Sequence, residues 1–152
     1  MTIRPATEHD LYTIVELLAD DELGKTREQL EYAVSKDYIQ AFQIINSDPN
    51  QELMVVENED KAVIATFQLT FIQYLNYCGG LRAQIEAVQV RKDLRGIGVG
   101  KHIFKWIIER AKARHAVILQ LTSDKRRPRA ISFYEDLGFI ATHEGMKMHF
   151  KY

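Results

Sequence analysis

With 152 residues, 46% of them hydrophobic, the chain has enough apolar material for one core and too little length for two ordinary domains. A formal net charge of −1 excludes a global pull towards nucleic acid or an anionic membrane, so such a partner would need a local patch. The single cysteine, Cys78, cannot close an internal disulfide, and there is neither a secretory leader pattern nor an apolar run of about eighteen residues, so the chain reads as cytoplasmic.

Met1 to Arg4 reads as a first strand. Thr7 and Asp10 have the spacing of an N-terminal capping pair and open a helix to about Ala19, with Leu11, Ile14, Val15 and Leu18 on one face. Thr26 with Gln29 starts a second helix, and a further helical stretch from Tyr38 to Asn46 is stopped by Asp48-Pro49-Asn50. Leu53 to Glu57 and Ala62 to Gln73 flank the polar turn Asn58-Glu59-Asp60-Lys61 as an antiparallel hairpin. Ala83 to Val90 is a strand that leads into a glycine-rich turn. The helix after that turn sets Ile103, Phe104, Ile107, Ile108 and Ala111 on one stripe and Lys105, Glu109 and Lys112 on the other, so it packs on a sheet. Ala116 to Thr122 is the next strand, Pro128 starts a short helix ending at Gly138, and Phe139 to Ala141 and Met146 to Phe150 finish the sheet. No linker or repeat interrupts this order, which describes one mixed α/β (α+β) domain over 1–152.

The turn between the Ala83 to Val90 strand and its helix is suited to hold phosphate. Gly96, Gly98 and Gly100 let backbone N–H groups approach an anion, the helix start adds about half a positive charge, and Arg95 and Lys101 add full charges. A dinucleotide fingerprint would need glycine where Lys101 stands. A P-loop would need glycine at Arg95 and a hydroxyl at His102. Both fail.

What remains is Arg-x-x-Gly-x-Gly, here Arg95-Gly96-Ile97-Gly98-Val99-Gly100, which resembles the acyl-CoA pyrophosphate loop of the GCN5-related N-acetyltransferase (GNAT) superfamily. Downstream, Ala130-Ile131-Ser132-Phe133-Tyr134-Glu135-Asp136-Leu137-Gly138-Phe139 is similar to that superfamily's second signature, Ala-x-x-Phe-Tyr-x-x-x-Gly-Phe. Thr2-Ile3-Arg4-Pro5-Ala6 also resembles the usual start of these domains, so the resemblance covers nearly the whole chain.

The resemblance implies a single GNAT-like domain, with a twisted, mostly antiparallel sheet of about seven strands and about four flanking helices. The sheet would splay between the Ala83 to Val90 and Ala116 to Thr122 strands, and the pantetheine arm of acetyl-CoA would lie in that gap. Val88, Gln89 and Val90 would meet the pantetheine. Arg95, Gly96, Ile97, Gly98, Val99, Gly100 and Lys101 would hold the pyrophosphate. Ala130 and Phe133 would complete the cofactor wall, Phe133 also filling core, and Arg127 would either bind the cofactor's 3′-phosphate or pyrophosphate or stand in a solvated loop. Arg127 belongs to the basic run Lys125-Arg126-Arg127-Pro128-Arg129, which follows Ser123-Asp124, where relatives often carry Asn.

The implied reaction is direct acetyl transfer from acetyl-CoA to a primary amine of a small molecule or peptide, with no covalent enzyme intermediate. Tyr134 is the candidate acid for the leaving thiolate, and Glu86 the candidate base or water-ordering residue, with bulk solvent as the alternative base. A silent acyl-CoA sensor is the competing reading. Asp20-Asp21-Glu22 would favour a cationic acceptor by steering, or be a solvated helix end. No metal site is expected, since His9, His102, His115, His143 and His149 lack partners at ligand spacing. Neither nucleic acid nor membrane is an expected partner, and the assembly is open between monomer and homodimer.

Overall fold

A computed structural model of the chain describes residues 1–20 and 34–150. The order is β1 (Thr2–Pro5), a 3-10 turn (Glu8–Asp10), α1 (Leu11–Ala19), α2 (Lys36–Ser47), β2 (Gln51–Glu57), β3 (Val63–Gln73), α3 (Asn76–Gly79), β4 (Leu81–Val90), a second 3-10 turn (Lys92–Leu94), α4 (Val99–Ala113), β5 (Ala116–Leu121) and α5 (Pro128–Asp136). The strands form one five-stranded sheet in chain order. β1 to β4 pair antiparallel and β4 pairs β5 in parallel, which the crossover helix α4 makes possible.

The strand alternation sorts residues onto two faces. Met54, Val56, Phe67, Leu69, Phe71, Ala83 and Ile85 form a core with Ile103, Phe104, Ile107 and Ala111 of α4, the stripe expected from the helical period. On the other side Val55 packs with Leu11 and Ile14 of α1 and with Phe42 of α2. In α1 it is Leu17 that is buried, while Leu18 packs partly buried against the second cluster.

Thr7 caps the start as the spacing predicts. Its N–H and hydroxyl both donate to Asp10 Oδ2, at 2.7 and 2.9 Å, and the Arg4 guanidinium grips both Asp10 oxygens at 2.7 and 2.9 Å. Arg4 Nε also donates to Glu57 at 2.8 Å, so β1, β2 and the first turn are tied through one side chain. Arg110 makes a similar tie between α4 and β2, donating to both Glu52 oxygens at 2.6 to 3.1 Å.

Three expectations are corrected or fall outside the described residues. The sheet has five strands among the described residues, not about seven, because 139–150 pairs with no strand. Met146, Met148 and Phe150 do alternate, but they are 92%, 79% and 69% exposed, and alternation makes a strand only where a neighbouring edge accepts its N–H groups. Among the described residues five helices stand where about four were expected; one of them, α3, is a single turn. The helix expected to start at Thr26, and Asp21 and Glu22, lie outside the described residues.

Candidate active site

The parallel pairing of β4 with β5 ends at Ile85 opposite Leu121. Beyond it β5 ends, so among the described residues 86–90 of β4 face no strand on that side. On the β3 side Thr66 pairs Gln89 and Gln68 pairs Glu86, leaving Ala87 and Val88 opposite Phe67 alone. This is a bulge. Ala87 sits at φ 54, a left-handed conformation that costs a non-glycine residue about 1 kcal/mol or more. The bulge shifts the alternation by one residue: Ala83 and Ile85 face the α4 core, and after the slip Val88 and Val90 do so. Bulges re-aim side chains and free ladder groups, and this one does so where the strands part.

Glu86 is exposed at that point, and its Oε1 accepts a hydrogen bond from Gln84 Nε2 at 2.8 Å. Gln84 in turn accepts from Gln120 Nε2 at 2.6 Å, a bridge from β4 to β5 just before the gap. Gln84 and Glu86 lie on the face away from α4, since Ile85 between them is buried in the α4 core.

Tyr134 lies on the opposite face. Its ring packs on Phe104 of α4 at 5.4 Å, on Phe133 at 5.5 Å and on Phe139 at 6.1 Å. Burial pushes its phenol above the ordinary value, and the nearby positive charge of Arg127 opposes this more weakly. The hydroxyl therefore holds its proton at neutral pH. Glu86 thus lies on one face of the sheet, while Tyr134 packs on the other, against α4. That relationship could not be read from sequence.

The glycine turn has the geometry of an anion cradle. Gly96 and Gly98 take φ 85 and 99, which only glycine adopts cheaply, and a Cβ at either would meet nothing within 4 Å. Gly98 is the N-cap of α4 and no side chain caps that helix, so its first N–H groups are free to receive an anion. Gly100 has a different role: a Cβ there would come within 3.3 Å of Phe133 Cζ, so this glycine lets α5 press against α4. Ala130 sits in the first turns of α5, and Arg127 is its N-cap.

Arg95 is engaged within the fold. Its Nε donates to the Val90 carbonyl at 2.8 Å and its Nη2 pairs with Asp20 at 3.3 Å, so this guanidinium is turned back to the strand end and to the end of α1. Val90's carbonyl is correspondingly occupied. Asp20, read as a pull on acceptors, sits beside the glycine turn as the partner of Arg95. Lys101 and His102 are exposed at the helix start. In the basic run Arg126 is held by Asp124 at 2.8 and 3.0 Å and Lys125 by Glu144 at 2.5 Å. Among the described residues no group of three or more His, Cys, Asp or Glu is placed to hold a metal ion, and no helix is long and apolar enough to cross a membrane.

The sequence description of the acetyltransferase (GNAT) family matches residues 11–139. The chain belongs to this family. A crystal structure from Bacillus halodurans C-125, described as a transcriptional regulator, is 49% identical and superposes with a TM-score of 0.94, covering 98% of this chain and 99% of that one. A protein from Clostridium acetobutylicum described as a predicted acetyltransferase, solved with acetyl-CoA, has the same fold at a TM-score of 0.73 and 20% identity, over 97% of this chain and 95% of that one. Among curated proteins, an uncharacterized N-acetyltransferase, ycf52, of Pyropia yezoensis is 32% identical over 73 residues. That match takes in 48% of this chain and 40% of the relative's length.

Proposed function

We propose that residues 1–152 act as one domain that moves an acetyl group from acetyl-CoA directly to the nitrogen of a primary amine. The observation that carries this reading is the coincidence at one place of the open β4–β5 edge, the bulge at Ala87 and the uncapped start of α4. The free N–H groups of α4 and the turn at Gly96 and Gly98 suit a pyrophosphate, and the unpaired 86–90 edge suits the amides of a pantetheine arm. The thioester supplies the activated acyl group, and the rest is work for this chain's own side chains.

An alkyl amine of pKa about 10.4 is neutral only about once in 2,500 molecules at pH 7, a shortfall of roughly 4.6 kcal/mol. Glu86 would accept the ammonium proton, directly or through water, and its bond to Gln84 holds it in place for that role. Tyr134 would protonate the leaving thiolate, whose pKa of about 8.5 makes a neutral phenol a competent donor. Arg127 close to Tyr134 would favour the phenolate left behind.

The test is thiol release from acetyl-CoA with a panel of amines and peptides. Transfer to any amine supports the enzyme. Acetyl-CoA binding without transfer across the panel supports a second reading, an acyl-CoA-responsive regulator, which the description of the Bacillus halodurans relative favours.

A further inference from the structure

The face of β4 turned away from α4 is polar over a run of alternate residues. Arg82, Gln84 and Glu86 alternate with buried Ala83 and Ile85, opposite Ile72, Thr70 and Gln68 of β3. Gln84 is committed at both ends, to Gln120 and to Glu86. Arg82 has no such commitment. Its guanidinium lies 4.1 Å from the Tyr74 ring centroid and 5.2 Å from that of Tyr77, and it has neither hydrogen bond nor ion pair among the described residues. Among the described residues its Nε is a buried side-chain atom left without a hydrogen-bond partner, while the residue as a whole is only partly buried.

The surrounding backbone holds this arrangement at some expense. Tyr77 and Cys78 are both left-handed, at φ 53 and 56, in a turn that places the Tyr77 ring beside Arg82. The two rings flank the guanidinium, and contact with an aromatic face favours a defined orientation of its plane. A planar fork held in this way is preorganised for a carboxylate, which it can bind bidentately.

We propose that Arg82 determines acceptor specificity by binding a carboxylate of the amine whose nitrogen is presented to Glu86; this rests on the amine-transfer reading above. The two positions share a face and lie four residues apart, about 13 Å between Cα atoms at ~3.3 Å per residue. With both side chains reaching towards the ligand, the span left is on the order of 10 Å, the length of about three extended peptide units. The charges are complementary, anionic Glu86 to the ammonium and cationic Arg82 to the carboxylate. The favoured acceptor is therefore a zwitterion of about tripeptide length.

The test uses triglycine and triglycinamide, which differ in the terminal charge, titrated calorimetrically into the intact protein with CoA present so that binding is read without turnover. Triglycine should bind about tenfold or more tighter than the amide, the ratio falling as salt rises. Arg82→Gln should bring the two to within about twofold while leaving CoA affinity unchanged, and Arg82→Lys should keep part of the ratio because charge survives and the fork does not. Equal or undetectable affinity in the wild type, or a ratio that survives Arg82→Gln, overturns the proposal. Should Arg82→Gln not fold, the wild-type ratio, its salt dependence and Arg82→Lys decide. Initial rates with acetyl-CoA are measured alongside. A binding ratio without transfer to either peptide overturns the assignment of Arg82 to acceptor specificity, while the amine-transfer reading stands or falls separately on the wider amine panel.

Discussion

Replacing Gly98 by valine perturbs the anion cradle at the point where its cause is simplest. Gly98 stands at φ 99, and a Cβ there would meet nothing within 4 Å, so the penalty is one of backbone conformation and not of collision. A β-branched residue held in this region costs on the order of 1–3 kcal/mol, or is relieved by turning the peptide and with it the N–H groups that open α4. At 152 residues each kcal/mol is worth roughly 2–4 °C, so the unliganded variant should melt roughly 2–12 °C below the wild type. Acetyl-CoA at a hundred times its Kd stabilises the wild type by about 2.7 kcal/mol, a rise of roughly 5–11 °C. Gly98→Val should lose that rise. Gly138→Val is the control, because Gly138 has a similar φ of 93 after α5 but no part in the turn. It should melt lower and still respond to acetyl-CoA. A ligand-induced rise that persists in Gly98→Val refutes the reasoning, since the turn would then hold no phosphate.

Tyr134→Phe should lower kcat on the order of a hundredfold and leave the Kd of acetyl-CoA within about twofold, because only the donated proton is lost; an unaltered kcat would make the ring purely a packing element of the Phe104 cluster. Glu86→Gln keeps an acceptor for Gln84 and removes the base, so the acid limb of kcat/KM against pH should flatten, and a superimposable profile would assign the proton to solvent. Asp10 is held down to about 2, chiefly by the Arg4 guanidinium, with Thr7 adding hydrogen bonds and burial opposing. A depressed carboxyl stabilises the fold above its unfolded value near 3.9, and that stability is lost as pH falls towards 2. Urea unfolding should therefore show Asp10→Asn costing about 2 kcal/mol at pH 7, the gap closing between about pH 4 and 2; a gap that ignores pH would refute the ion pair as its source.

Local rules carried much of the fold. The capping pair Thr7 and Asp10, the helical stripe on α4, the β2–β3 hairpin and Pro128 at the start of α5 each follow from contacts within a few residues, and each stands close to where the sequence puts it. The glycine turn was legible for the same reason, since positive φ at Gly96 and Gly98 is a property of the residue itself. What was illegible is non-local. Alternation in Met146, Met148 and Phe150 cannot tell whether an edge is present to pair with, and the segment forms no strand.

The candidate site divides in the same way. By itself the sequence determined which groups could take part: a glycine turn opening a helix, a phenol in the Phe-Tyr pair, and a carboxylate in an apolar strand. Tertiary structure decided their relations. The bulge at Ala87 arises only when β4 is laid against β3, and the parting of β4 from β5 beyond Ile85 arises only when both are in the sheet. Arg95 turned to Asp20 and Gly100 serving Phe133 join residues far apart in the chain, and Arg82 framed by Tyr74 and Tyr77 depends on the left-handed turn at Tyr77 and Cys78. Periodicity and motif spacing report the backbone's local geometry, while the partner a side chain meets depends on packing that the whole chain has to settle at once.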